Sequence, residues 1–114
     1  MIDRHEEGIC AVCARAEVGI GYADWQRWRK PRILWLCDDP DCYQIAKATY
    51  EMKQDEFSRI ESLAAGRGGA EAAVFLEQIG KTDLATLNHA EWFEFCRRLI
   101  AGYRKALKGG LRDE

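Results

Sequence analysis

Several things that would announce a function are scarce or missing in this chain. Only two histidines occur among its 114 residues, His5 and His89. No run of 18 apolar residues is present, which excludes a membrane-spanning helix read from hydropathy. The stretch from Met1 to Cys13 is polar and acidic, without a basic segment leading into an apolar one, so no secretory leader is read there. The expected address is therefore cytoplasmic. A strong charge of one sign is also lacking. The formal net charge is −2, which argues against nucleic-acid binding over the whole surface but not against a local basic patch. No internal repeat and no low-complexity segment interrupts the chain. The length favours a single domain over residues 1–114, and 47% hydrophobic with 32% charged residues is ordinary for a folded protein.

What is present is cysteine in a particular arrangement. Four of the five cysteines form two tight pairs, Cys10-Ala-Val-Cys13 and Cys37-Asp-Asp-Pro-Asp-Cys42. The 23 residues between the pairs suffice for a β-hairpin. Each pair can span one edge of a metal tetrahedron, and soft thiolates favour zinc. In a chain without a leader this pattern reads as a metal site rather than a disulfide framework. One structural Zn²⁺ held by Cys10, Cys13, Cys37 and Cys42 is the leading reading. Two disulfides, unliganded buried thiols and an iron–sulfur cluster are the alternatives. A domain this small buries a lean core, so a metal staple is physically useful. Zinc with four thiolates adds a net −2, giving a formal charge of about −4. The fifth cysteine, Cys96, sits on an apolar helical stripe and reads as a buried small hydrophobe.

The local signals predict an α+β chain. Residues 17–23 and 32–37 are strands, with residues 24–31 as the hairpin tip between them. Asp39-Pro40-Asp41 is a helix start: Asp39 caps, Pro40 takes the first helical position, and Asp41 favours the positive end of the dipole. Apolar steps of three and four residues carry that helix to about residue 64, with Lys53 the one break in the stripe. Gly66-Arg-Gly-Gly69 is expected to end it. A shorter helix over residues 70–79 follows, closed by Gly80. Asn88-His-Ala-Glu91 has the form of a capping box and opens a last helix, which Gly109-Gly110 is expected to stop. Residues 1–8 read as a loose polar lead-in.

Knuckle, hairpin, strand, and then a ligand in the first helical turn resembles a treble-clef zinc finger over residues 9–64. The expected architecture is α+β, with that zinc part over residues 9–64 packed on two or three C-terminal helices in a helical part over residues 70–108. The resemblance implies structural zinc and no single function, because that fold serves nucleases, ribosomal proteins and protein-binding modules alike. The chain as a whole is similar to a family of short zinc-binding proteins encoded in bacterial prophages. Trp35-Leu-Cys37-Asp-Asp-Pro-Asp and Ile79-Gly-Lys-Thr-Asp-Leu-Ala carry that similarity. It implies a phage or mobile-element adaptor or inhibitor acting on a host protein or defence complex.

Catalysis is the least supported class. A treble-clef nuclease needs a histidine base near hairpin and helix, and residues 13–42 hold no histidine. His5-Glu6-Glu7 with the first cysteine pair shares residue types with zinc deaminases. Those place the glutamate and the cysteine pair on separate helices, which two intervening residues cannot do. Gly80-Lys81-Thr82 lacks the glycine that a phosphate loop needs five positions earlier, where Phe75 stands. The acidic cluster of Asp38, Asp39 and Asp41 is mostly explained by helix capping, with a hard cation as the rival reading. The protein is thus expected not to be an enzyme, and its most informative surface is the hairpin tip. Trp25, Arg27, Trp28, Arg29, Lys30 and Arg32 form the densest basic and aromatic cluster in the chain. They suit a protein partner, since Trp and Arg dominate binding hot spots. They also suit nucleic acid, through phosphate contacts and base stacking. The structural alternative is that the Trp rings cover a small core beneath Arg stems. The sequence does not specify an oligomeric state.

Overall fold

The computed structural model describes residues 3–114. A metal-knuckle body carries a long helical hairpin, and the whole measures 55 × 24 × 21 Å. Two short antiparallel strands come first, β1 (Ile20–Tyr22) and β2 (Leu34–Leu36). Ile20 faces Leu36, Gly21 faces Trp35 and Tyr22 faces Leu34. Then come α1 (Pro40–Ala48), α2 (Gln54–Ile79), a 3₁₀ turn at Leu84–Thr86, and α3 (His89–Arg112). Among the described residues the fold is thus α+β, with one two-stranded sheet and three α-helices.

The expected helix starts are where the local chemistry puts them. The Asp39 side chain accepts from the Asp41 N–H, and Pro40 lies in the first turn of α1. Asn88 and Glu91 form both halves of a capping box at α3. Gly80 closes α2 in the left-handed conformation, with φ of 67°.

Three expected boundaries are corrected. The first helix does not run to residue 64: it ends at Ala48, and α2 starts at Gln54. The cause lies far away in sequence. Arg4 is 2% exposed, and its Nη1 donates to the carbonyls of Thr49 at 2.7 Å and Met52 at 2.9 Å. Arg4 thus ties down the bend between the two helices, where the Thr49 carbonyl also accepts from the Met52 N–H at 3.0 Å. The Arg4 backbone N–H also donates to Gln54 Oε1 at 2.9 Å. Residues 3–8 are accordingly not a loose lead-in. The second correction concerns Gly66-Arg-Gly-Gly69, which α2 traverses without ending. A Cβ on Gly68 would stand 2.5 Å from the Leu99 carbonyl oxygen and 2.9 Å from the Tyr103 nitrogen, so only glycine lets α3 pass this close. Thirdly, α3 continues through Gly109-Gly110 to Arg112. Leu111 beyond them is fully buried, and its burial holds the last turn in place.

The core lies under the knuckle. Val12, Leu34 and Leu36 meet Ile45 and Ala46 of α1, Phe57, Ile60 and Ala64 of α2, and Leu107 and Leu111 of α3. Tyr22 meets Tyr43 and Tyr50 edge-on at 5.6 and 5.3 Å, tying β1 to α1 and the turn after it.

Candidate metal centre

Three separate elements deliver the four thiols. The first pair sits in a tight turn, where the Cys10 N–H donates to the Arg15 carbonyl at 2.7 Å and the Ala14 N–H to the Cys10 carbonyl at 3.0 Å. Ala14 takes a positive φ of 63° there, a conformation L-residues adopt at some cost. The Ala11 N–H donates to the Trp35 carbonyl at 2.8 Å and pins this knuckle onto β2. Cys37 immediately follows β2, and Cys42 lies in the first turn of α1. All four are buried, and their sulfurs lie within 4.8 Å of one another.

That spacing fits a metal tetrahedron. Metal–sulfur bonds of about 2.3 Å place tetrahedral sulfurs about 3.8 Å apart. Cys13 Sγ and Cys37 Sγ are 3.7 Å apart. A disulfide would bring sulfurs to about 2.05 Å, and all five cysteines are free. The electrostatics lead the same way. Cys10 is drawn down to about 4, chiefly by a thiol hydrogen bond from Cys42. The amides of Cys13, Val12 and Cys37 add to this, against the opposing effect of burial. Cys13 is pushed up to about 11 by burial. Cys42 is also raised, first by its hydrogen bond to Cys10 and then by burial. The pocket on its own therefore favours a thiolate at Cys10 and penalises one at Cys13 and at Cys42. Four thiolates require a cation among them. Cys10, Cys13, Cys37 and Cys42 are thus arranged to hold a metal ion.

Comparison with protein families, curated proteins and solved structures finds no match to this chain. The reading of the site rests on its own residues.

The neighbouring acidic residues act as helix and ion-pair partners. Asp39 Oδ2 receives Lys108 Nζ at 2.6 Å, and Asp41 Oδ2 lies 3.7 Å from the same nitrogen. Lys108 and the Asp41 N–H hold the Asp39 carboxyl below its usual range. His5 stands outside the thiol cluster. Its ring Nδ1–H donates to the Ile33 carbonyl at 3.0 Å, and burial lowers its pKa. His89 is exposed at the start of α3. Lys81 of the Gly-Lys-Thr stretch is engaged by Glu91 at 2.7 Å. Cys96 is half-buried rather than fully buried.

At the hairpin tip the Asp24 side chain accepts from the Arg27 N–H at 3.1 Å, and its carbonyl accepts from the Trp28 N–H at 3.2 Å. This turn projects Trp25 and Trp28, which are 66% and 52% exposed. The alternative in which these rings cover the core is therefore corrected: Leu34, Leu36 and Val12 fill that space instead. The cations divide into two groups. Arg27 lies over the Trp28 ring at 5.3 Å and pairs with Glu51. Arg32 pairs with Asp3 at 2.9 Å. Among the described residues, Arg29 and Lys30 have no ion-pair partner.

Two residues important to the site gave no sequence signal. Arg4 closes the junction between α1 and α2 from 45 residues away. Lys108 reaches the Asp39 cap from 69 residues away. Only a folded chain reveals either pairing.

Proposed function

We propose that this protein is a small zinc-stabilised binding module of treble-clef type, whose hairpin tip grips a protein partner. Four thiolates around zinc leave no open coordination position, which suits a structural and not a catalytic ion. The carrying observation is the pair of exposed rings, Trp25 and Trp28, on a turn rooted at the metal site. Rigid aromatic side chains presented this way are the usual anchors of protein interfaces. The adaptor or inhibitor role on a host protein or defence complex rests on the prophage resemblance.

Charge separates this reading from nucleic-acid binding. Arg27, Arg29, Lys30 and Arg32 stand against Asp3, Asp24 and Glu51, so the tip region carries a net charge of only +1. Two of the four cations are already paired with carboxylates. Phosphate binding would have to displace those carboxylates or rely on Arg29 and Lys30 alone.

Affinity capture from host lysate, compared between wild type and the double variant Trp25→Ala/Trp28→Ala, tests the proposal. A specific protein is expected to be captured by wild type and lost from the double variant, whose bound zinc stays at one equivalent. Identical capture by both forms overturns it. Salt-sensitive binding of DNA or RNA, abolished by Arg29→Glu with Lys30→Glu, establishes the rival instead. Metal analysis tests the zinc reading: less than about half an equivalent, with Cys10→Ser folding normally, refutes it.

A further inference from the structure

We infer that Lys108 is the charge-compensating residue of the zinc centre, setting its metal affinity through the electrostatics of the loaded site. This rests on the proposed reading of the four thiols as a zinc site.

One Zn²⁺ among four thiolates leaves the centre at −2, more negative than the empty site at neutral pH. Three carboxylates, Asp38, Asp39 and Asp41, lie in the turn that separates ligands Cys37 and Cys42. The loaded site and these three carboxylates together therefore carry five negative charges. Any cation fixed nearby favours the loaded form, and any additional anion opposes it.

Lys108 is placed for that role. Its Nζ bonds Asp39 Oδ2 at 2.6 Å and lies 3.7 Å from Asp41 Oδ2. Asp39 is the cap that starts the helix carrying Cys42, and the Cys42 N–H donates to the Asp39 carbonyl at 3.0 Å. The Lys108 side chain is 21% exposed, so water and salt screen it less than a surface charge. The hydrogen bond to Asp39 raises the Lys108 pKa further above its ordinary value, so the ammonium is charged at neutral pH. The neighbouring Leu107 is buried, and so is Leu111 one turn further on. The end of α3 thus anchors the stem from which the ammonium reaches. Arg112 also approaches Asp41, at 3.7 Å, but its side chain is 55% exposed and contributes less.

Four variants separate charge from packing. Lys108→Met keeps the stem and removes the charge. Lys108→Gln keeps a hydrogen-bond donor for Asp39 without the charge. Lys108→Arg restores the charge. Asp38→Asn removes a negative charge from an exposed residue. Zinc affinity is read by chelator competition, and the ligand set by the absorption of the Co²⁺-loaded protein. The Met and Gln variants are expected to bind zinc about tenfold more weakly, with unchanged Co²⁺–thiolate bands. The Arg variant is expected to recover most of that loss, and Asp38→Asn to bind more tightly than wild type. The gap between wild type and Lys108→Gln should narrow as ionic strength rises from about 0.05 M to about 0.5 M.

The inference is overturned if Lys108→Gln binds zinc as wild type does. It is equally overturned if Lys108→Arg is as weak as Lys108→Met, or if Asp38→Asn weakens binding. Should the Met variant fail to fold with zinc, the Gln, Arg and Asp38 variants still decide. Wild type that binds no zinc refutes the zinc reading itself, a result distinct from equal affinities across the variants.

Discussion

The two halves of this molecule are held together in opposite ways. In the body, around the knuckle and β-strands, four buried sulfurs converge and the chain wraps them with short elements, a turn, two three-residue strands and a nine-residue helix. None of these elements would be stable alone. In the hairpin, 26- and 24-residue helices lie against each other, and their closest approach is made by glycine. Buried side chains are distributed accordingly. The fully buried residues of α3, Leu107 and Leu111, both belong to its end at the body. Towards the other end Trp92, Phe93 and Ile100 are exposed. On the proposed reading the body depends on an ion among its four thiols, whereas the hairpin depends on backbone proximity. A small chain can combine both devices when neither supplies a full core.

Removing the metal breaks the comparison most severely. Structural zinc contributes on the order of 10 kcal/mol at neutral pH, more than a domain of this size can forgo. With a chelator, or in Cys10→Ser, amide exchange is expected to become fast across residues 10–48. Protection within α2 and α3 should fall much less. Equal loss in both halves would show that they form one cooperative unit. Arg4→Ala comes next. It removes the guanidinium that donates to the Thr49 and Met52 carbonyls and lies over Phe57. Burial pulls the Arg4 pKa down to about 10, so this side chain is still a cation at neutral pH. A loss of about 2–3 kcal/mol is expected in chemical denaturation, with zinc retained.

The hairpin answers to a different substitution. Gly68→Ala places a methyl group against the Leu99 carbonyl and should cost about 1–3 kcal/mol without changing zinc content. Gly66→Ala and Gly69→Ala, two glycines with nothing within 4 Å of an added Cβ, should instead stabilise the protein by about 0.5–1 kcal/mol. Thermal denaturation of the three variants reads the contrast directly, and a common sign would refute the close-contact account. The smallest effect is expected at the start of α3. Asn88→Ala removes the cap and should cost about 1 kcal/mol. Lys81 and the Asn88 N–H hold the Glu91 carboxyl below its ordinary value of 4.5. Its contribution is therefore present above that value and lost as pH falls through the lowered one. The chemical shift of the Glu91 side-chain carboxyl carbon, followed by NMR during acid titration, should report it.

What was legible in the sequence was what local chemistry decides. Two cysteine pairs, the Asp39-Pro40 start, the Asn88–Glu91 box and the Gly80 stop each involve residues within a few positions of one another, and each is realised. What was not legible depends on contacts between distant parts. Lys53 interrupts the apolar stripe, but nothing nearby shows that the chain breaks there around Arg4. Glycines at 66–69 and 109–110 carry the composition of a helix end. They remain helical because α3 crosses at Gly68 and Leu111 is drawn into the core. The cysteine cluster was readable because metal–thiolate chemistry restricts residue type and spacing together. Partner surfaces obey no such restriction, and the tip could be singled out only as a cluster.

The crossing at Gly68 has a mechanical corollary. Gly102 lies opposite, where an added Cβ would come within 3.1 Å of the Gly68 Cα. Sliding α3 by one helical turn, about 5.4 Å, would drive a residue with a Cβ into the place that Gly102 now occupies. The two helices are therefore locked against axial slippage, as a bayonet fitting locks a shaft. A load applied near the 3₁₀ turn at Leu84–Thr86 would reach the metal body as displacement of a rigid strut, not as a shift in register.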